Sequence, residues 1–365
     1  MKTSYFLLPL LLLGSYLFAE EDSIPEICTE EKLEERLCKI EHAFHSKVNP
    51  LATIAPTFFL IGDVLYWQAR ETGLAYAVTA SDTVIGTLLP HDFEVSEPEF
   101  DWDFGFRVGF GYNAEKDGWD TSIVWTRLHT KAIDQGMLAS GEFFLPLWSS
   151  PDFIVTPPMV ITSTDAHWKL HFNELDWNLG KAYHPTKFLV MRPFIGPSAV
   201  RIEQEYHIKY RRAVLTEEDH IHIENEFKGI GARAGCDLQF LLGREWSLMA
   251  KASAAIYSGY FDIDRDEDFE SPFGKESFDI DQKIHVARPA TSLSLGLNWE
   301  HKFLRRCAFF RANLSYDIQY FFKQNQMPRV IGKPFTSTVI PFDTFIADQG
   351  DLNLHGGSFS LTYGF

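Results

Sequence analysis

Three stretches of this chain carry residue types and spacings that could do chemistry. Gly229-Ile230-Gly231-Ala232-Arg233-Ala234-Gly235 resembles a dinucleotide-binding glycine run. That chemistry needs the glycines on a strand-to-helix turn, with phosphate at the helix N-terminus. Here they fall at i, i+2 and i+6 on one face of an alternating segment, so they read as glycines lining a lumen or easing curvature. Asp262, Asp264, Asp266 and Asp268 imitate the start of a calcium loop, but Glu267 stands where such a loop needs Gly and Phe273 where it needs Glu. This run reads as an acidic, solvated loop, and no metal site is assigned. Asp82, His91, Asp92, Asp165, His167, Asp219 and His220 could supply acid and imidazole groups for rim proteolysis. Neither G-x-S-x-G nor H-E-x-x-H occurs, and no catalytic residue or cofactor is assigned.

A second set is charged. Asp63, Asp103, Arg107, Asp120, Glu174, Asp176, Arg192, Arg233, Asp237, Lys251, Glu300 and Asp317 all occupy the polar face of alternating segments. They read as the lining of a pore. The competing reading is an internal salt-bridge network that fills the interior; barrels of eight strands are filled and barrels of sixteen hold channels.

The elements that hold these residues are strands. Trp102, Phe104, Phe106, Val108, Phe110 and Tyr112 alternate with Asp103, Gly105, Arg107, Gly109, Gly111 and Asn113, a period of two. The pattern recurs at 228–242, 246–256, 292–300 and 308–322, and more loosely at 58–69, 118–130, 167–181 and 187–204. Short links at 114–118, 183–186, 243–245 and 304–306 alternate with long ones at roughly 70–101, 131–166, 205–226, 262–287 and 323–350. Short turns on one side and long loops on the other characterise outer-membrane barrels. The fold class is therefore all-β: a transmembrane antiparallel barrel of about ten strands (ten to twelve), with short periplasmic turns and five long extracellular loops. Phe359, Leu361, Tyr363 and Phe365 share one face of the last strand. Tyr363 and the terminal Phe365 read as the signal that barrel-assembly machinery recognises.

The 365 residues include 32 Phe, 13 Tyr and 9 Trp, with 45% hydrophobic and 23% charged residues and a formal net charge of −17. Composition excludes global disorder, and the acidic balance argues against nucleic-acid partners. Trp67, Trp102, Tyr112, Trp119, Trp246, Trp299 and Tyr363 fall near strand ends, where membrane girdles sit. Lys2, the apolar run Tyr5–Leu13 and Ala19 before Glu20 form a secretory signal peptide over 1–19. Residues 20–57 read as a periplasmic segment with a short amphipathic helix at Glu30–His45, and 58–365 as the barrel. Of four Cys, Cys28 and Cys38 lie in that segment. If Glu30–His45 is one helix they are too far apart to pair within it, which leaves an intermolecular disulfide as an expectation.

Beyond the pattern, individual motifs carry a resemblance. Asp63-Val64-Leu65-Tyr66-Trp67-Gln68-Ala69-Arg70-Glu71-Thr72-Gly73-Leu74, the stretch Asp103–Asn113, Asp117-Gly118-Trp119-Asp120, Trp125-Thr126, Trp168-Lys169-Leu170, Leu175-Asp176, Leu179-Gly180, Arg192-Pro193-Phe194 and Gly229–Gly235 resemble the strands of the Legionella-type major outer membrane proteins. These are also found in chlamydia-related bacteria. The resemblance runs from about 58 to 365. It implies an abundant pore-forming barrel in the outer membrane of a Gram-negative bacterium, exposed at the cell surface. The cysteine-rich pattern of the chlamydial major outer membrane proteins proper is absent.

The expected function is that of a passive porin for ions and small hydrophilic solutes. A structural or adhesin-type surface barrel is the alternative, and a rim protease stands third. Outer-membrane lipid and the assembly machinery are the expected partners, with a homo-oligomer left open.

Overall fold

The computed structural model describes residues 57–81, 92–114, 118–137, 142–150, 161–212, 218–243, 245–271, 274–303, 308–331, 344–347 and 350–365. The signal peptide, the helix expected at 30–45 and Cys28, Cys38 and Cys307 lie outside the described residues. Cys236 is a free thiol, half-buried.

Strict alternation puts one face of each strand against lipid and the other inward, and closure satisfies every strand edge. The wall consists of β1 (Thr57–Glu71), β2 (Trp102–Asn113), β3 (Trp119–Met137), β4 (Ile161–Lys181), β5 (Leu189–Arg212), β6 (Glu218–Gly243), β7 (Trp246–Ser271), β8 (Gly274–Phe303), β9 (Ala308–Phe321) and β10 (Leu352–Gly364). Each pairs antiparallel with the next, and β10 returns to β1. The expected ten-stranded closed barrel is what forms. Five short strands extend the same sheet, and Pro328–Ile331 pairs with Thr344–Ala347. At the short-turn end Phe58 and Phe365 exchange backbone hydrogen bonds of 3.2 and 2.9 Å, so Phe365 completes the seam.

The outer wall changes character along its length. Over the membrane-spanning part it is apolar and exposed: Phe104, Phe110, Leu179, Ile195, Ile230, Ile256 and Leu295. Among the described residues no helix is long and apolar enough to cross a membrane; the crossing is made by these strands. Farther along, the polarity inverts. Glu203, Glu205, His207 and Lys209 point out, while Ile202, Tyr206, Ile208 and Tyr210 are buried inside. This corrects the expected loop character of 205–226 and 262–287. Apart from 213–217 and 272–273, which lie outside the described residues, these stretches are strand. Alternation continues past the bilayer, and water replaces lipid outside, so the soluble arrangement of apolar inside and polar outside takes over. At 26 residues, β7 runs about 85 Å along its length, far beyond the ~25 Å apolar band.

Glycines admit close backbone approach at particular points. A Cβ on Gly196 would run into the carbonyl oxygen of Trp177 on β4. Gly118, at φ +67°, takes the left-handed conformation just before β3.

Candidate functional site: the barrel interior

All twelve charged residues singled out from the sequence lie on the inner face. Ten of them line one chamber of about 320 Å³ in the short-turn half: Asp63, Arg107, Asp120, Glu174, Asp176, Arg192, Arg233, Asp237, Lys251 and Asp317. Asp103 stands deeper, opposite Trp67 in register. Glu300 sits near the short turns, 2.6 Å from Arg311 and 3.7 Å from Lys302. Arg311 and Lys302 were missed in the sequence; both sit on the same inner phase as Glu300, which was the available signal.

The chamber wall is arranged as three arginine-centred groups, each joining several strands. Arg192 on β5 donates through Nε to Asp120 on β3 at 2.6 Å and through a terminal nitrogen to Asp237 on β6 at 2.8 Å. Arg233 on β6 pairs with Asp176 on β4, and reaches Ser253 on β7 at 3.0 Å and Ser292 on β8 at 3.3 Å. Arg107 on β2 bonds Asp63 on β1 at 3.0 Å and Thr126 on β3 at 3.1 Å, and lies 3.7 Å from Asp317 on β9. The guanidinium fork suits such multi-strand bracing. In this wall the arginines are paired with aspartates, and a chamber remains between them. Lys251 is exposed to that chamber.

Above the arginine groups the interior is crossed. Gln319 Nε2 on β9 donates to Glu174 Oε2 on β4 at 2.5 Å, and Tyr257 on β7 donates to Glu174 Oε1 at 2.8 Å. The next inner residues, Phe172 on β4 and Phe321 on β9, meet edge to face at 5.5 Å. Beyond them lies a buried core that includes Trp168, Tyr206, Phe227, Phe261 and Trp67, which faces inward and not into the expected membrane girdle.

Segments from between strands fold down into the far end. Tyr206 donates to Leu74 O at 2.6 Å and Tyr210 to Tyr76 O at 2.5 Å. Trp148 is fully buried, donates to Ala75 O at 2.8 Å, and carries Arg329 over its ring at 4.2 Å. Arg265 on β7, fully buried, bonds Trp148 O and Glu267 at 2.6 Å each and Pro328 O at 2.7 Å. Glu267 receives the Ser150 N–H at 2.7 Å, and Ser149 donates to Asp219. Burial, then the neighbouring Glu267, pushes the Asp219 carboxyl well above its ordinary range.

This overturns the acidic-loop reading of 262–268. These residues form strand, with Asp262, Asp264, Asp266 and Asp268 facing solvent and Arg265 and Glu267 facing inward. Among the described residues no group of three or more His, Cys, Asp or Glu is arranged to hold a metal. Among the described residues, the rim acid and imidazole groups do not converge. Asp165 and His167 are 2.7 Å apart on the outer face, whereas Asp219 is buried inside and its neighbour His220 points out. Asp82, His91 and the side chain of Asp92 lie outside the described residues.

The family model described as the Legionella pneumophila major outer membrane protein precursor matches residues 53–365. No curated protein sequence matches the chain. Among solved structures, the outer membrane protease OmpT from Escherichia coli is similar at 8% identity and TM-score 0.39, covering 85% of this chain and 96% of that one. A major outer membrane protein from Thermus thermophilus is similar at 11% identity and TM-score 0.28, covering 85% of this chain and 100% of that one. The monoaromatic hydrocarbon channel CymD is similar at 12% identity and TM-score 0.34, covering 88% and 93%. At these scores the likenesses carry no functional argument.

Proposed function

Starting from a chain that belongs to the Legionella major outer membrane protein family, and so to the Gram-negative outer membrane, we propose a non-catalytic, gated porin for ions and small hydrophilic solutes. The observation that carries this reading is the charged chamber within the membrane-spanning wall, with Lys251 exposed to it. A barrel that serves only as a scaffold has no need of a polar chamber, and one that conducts needs ion-scale polar surface along its path. The closure above the chamber is made by side chains and inter-strand segments, not by the barrel backbone. Such groups rearrange on microsecond-to-second timescales.

The Phe172–Phe321 crossing and the packed core beyond it favour a second reading, a surface barrel that acts through its extracellular extension. Single-channel recording of the refolded protein in a planar bilayer under a salt gradient separates the two. Discrete steps with a defined reversal potential are expected. A silent bilayer, with folding shown by a heat-dependent gel shift, would refute the porin and leave the surface reading. The mixed charges of the chamber, with an acidic total, predict mild cation preference; equal Na⁺ and Cl⁻ permeability would remove it.

A further inference from the structure

On the outer wall, the strand register stacks side chains into horizontal rows. One row holds Trp125, Leu175, Ala199, Ile230 and Ser258 on β3 to β7. It is the last row of apolar character before the polarity inverts. The row directly above it holds Arg127, Asn173, Arg201, Lys228 and Tyr260, followed by His285 on β8. Three cations therefore stand in one row at the level where the apolar band ends, Arg201 beside Lys228 and Arg127 one strand beyond Asn173.

Between these rows the wall is hollowed. Side-chain bulk falls away at Ala199 and Ser258, with Gly229 and Gly259 paired behind them, while Trp125 and Tyr260 stand at the flanks. The result is an outward-facing groove of about 540 Å³, within the size range of ligand pockets. Its floor is apolar and its upper rim carries Arg201 and Lys228.

The rim charges are held in place. Glu226 receives Arg201 at 2.7 Å and Lys228 at 2.6 Å, and Glu203 pairs with Arg201. Arg127 has no ion-pair partner among the described residues. With the next row out, which adds Glu203, Glu226 and the Asp262–Lys283 pair, four cations stand against three carboxylates, and the surplus positive charge at the boundary is that of Arg127.

We propose that this groove binds one phosphorylated glycolipid of the outer leaflet, its acyl chain along Leu175, Ala199 and Ser258 and its phosphate on Arg201 and Lys228. The occupant is a lipid because the groove opens onto the bilayer. It is anionic because guanidinium and ammonium together form a phosphate-binding rim. The site acts from outside the barrel and does not depend on whether the interior conducts.

The test uses the full barrel protein refolded into phosphatidylcholine vesicles containing diphosphoryl lipid A. The protein is extracted in mild detergent, and co-purifying lipid is counted by native mass spectrometry. At least one lipid A per barrel is expected, with phosphatidylcholine lost. The double variant Arg201→Gln/Lys228→Gln lowers retention about tenfold, or ~1.4 kcal/mol. Ala199→Phe fills the groove without touching a charge and lowers it likewise. Both substitutions face lipid or water and not the core, and a heat-dependent gel shift confirms folding. Retention unchanged in both variants would overturn the proposal. So would equal retention of phosphatidylcholine, which would indicate a greasy groove alone, or displacement of lipid A by inorganic phosphate, which would indicate a simple anion site.

Discussion

Glu174 on β4 and Gln319 on β9 stand five strands apart around a ten-stranded wall, on opposite sides of the barrel, yet they share a hydrogen bond of 2.5 Å. Phe172 and Phe321, the next inward-facing residues on the same two strands, touch as well. An interior that opposing side chains can span is closed at that level. Ten strands lie between the filled eight-stranded barrel and the open sixteen-stranded one, and here the side chains decide.

Removing the crossing is expected to open the path. Phe172→Ala with Phe321→Ala deletes two buried rings, at about 3–5 kcal/mol each. Single-channel recording is expected to show larger or longer openings than wild type, provided a gel shift shows a folded barrel. Unchanged conductance in the folded double variant would place the barrier farther out, at the Trp148 layer.

Arg192 is expected to be structural before it is selective. Arg192→Met leaves Asp120 and Asp237 facing each other in the wall without their shared cation. Losing one partner of such a buried group costs about 3–5 kcal/mol. Urea unfolding in vesicles is expected to show the loss. Asp120→Asn/Asp237→Asn in the same background is expected to recover much of it, and no recovery would mean that the guanidinium acts through packing alone.

The Asp219 anchor makes the far end sensitive to pH. Its carboxyl is held well above the ordinary value of 3.8 by burial and then by Glu267. A group with a raised folded pKa contributes stability that is full below its unfolded value and is lost as pH rises through the folded one. Exchange of the amides at 147–150 is therefore expected to speed up, after correction for intrinsic rates, as pH rises from about 4 toward neutrality. Asp219→Asn flattens that dependence. An unchanged slope in the variant would rule Asp219 out as the source.

On the outer face, the Nδ1 atoms of His207 and His222 lie 3.0 Å apart, with the rings stacked at 4.0 Å. Desolvation, and after it the charge of His222, holds His207 below the ordinary imidazole value of 6.5. Proton NMR of the ring is expected to show His207 titrating below that value. His222→Gln moves the titration upward, and no movement would rule His222 out as a cause.

Much of this architecture was legible in the sequence because side-chain alternation is a local property. The twelve inner charges singled out, from Asp63 to Asp317, could be assigned to their face from period two alone, and the even strand count followed from the spacing of short and long links. The continuation of β5 to β8 past the bilayer was also encoded, in Ile202, Gln204, Tyr206, Ile208 and Tyr210. It was obscured because the solvent changes there, so that an alternation read as lipid against lumen becomes one of water against core. What only the tertiary structure decided is which inner residues meet. Glu174 and Gln319 lie 145 positions apart in the chain, and their contact depends on barrel closure, stagger and diameter, which no single strand specifies. The same holds for Arg265, whose place in a charged run gave no sign that it clamps Trp148 and Pro328. Sequence periodicity determines which way a side chain points, and closure of the sheet determines what it finds there.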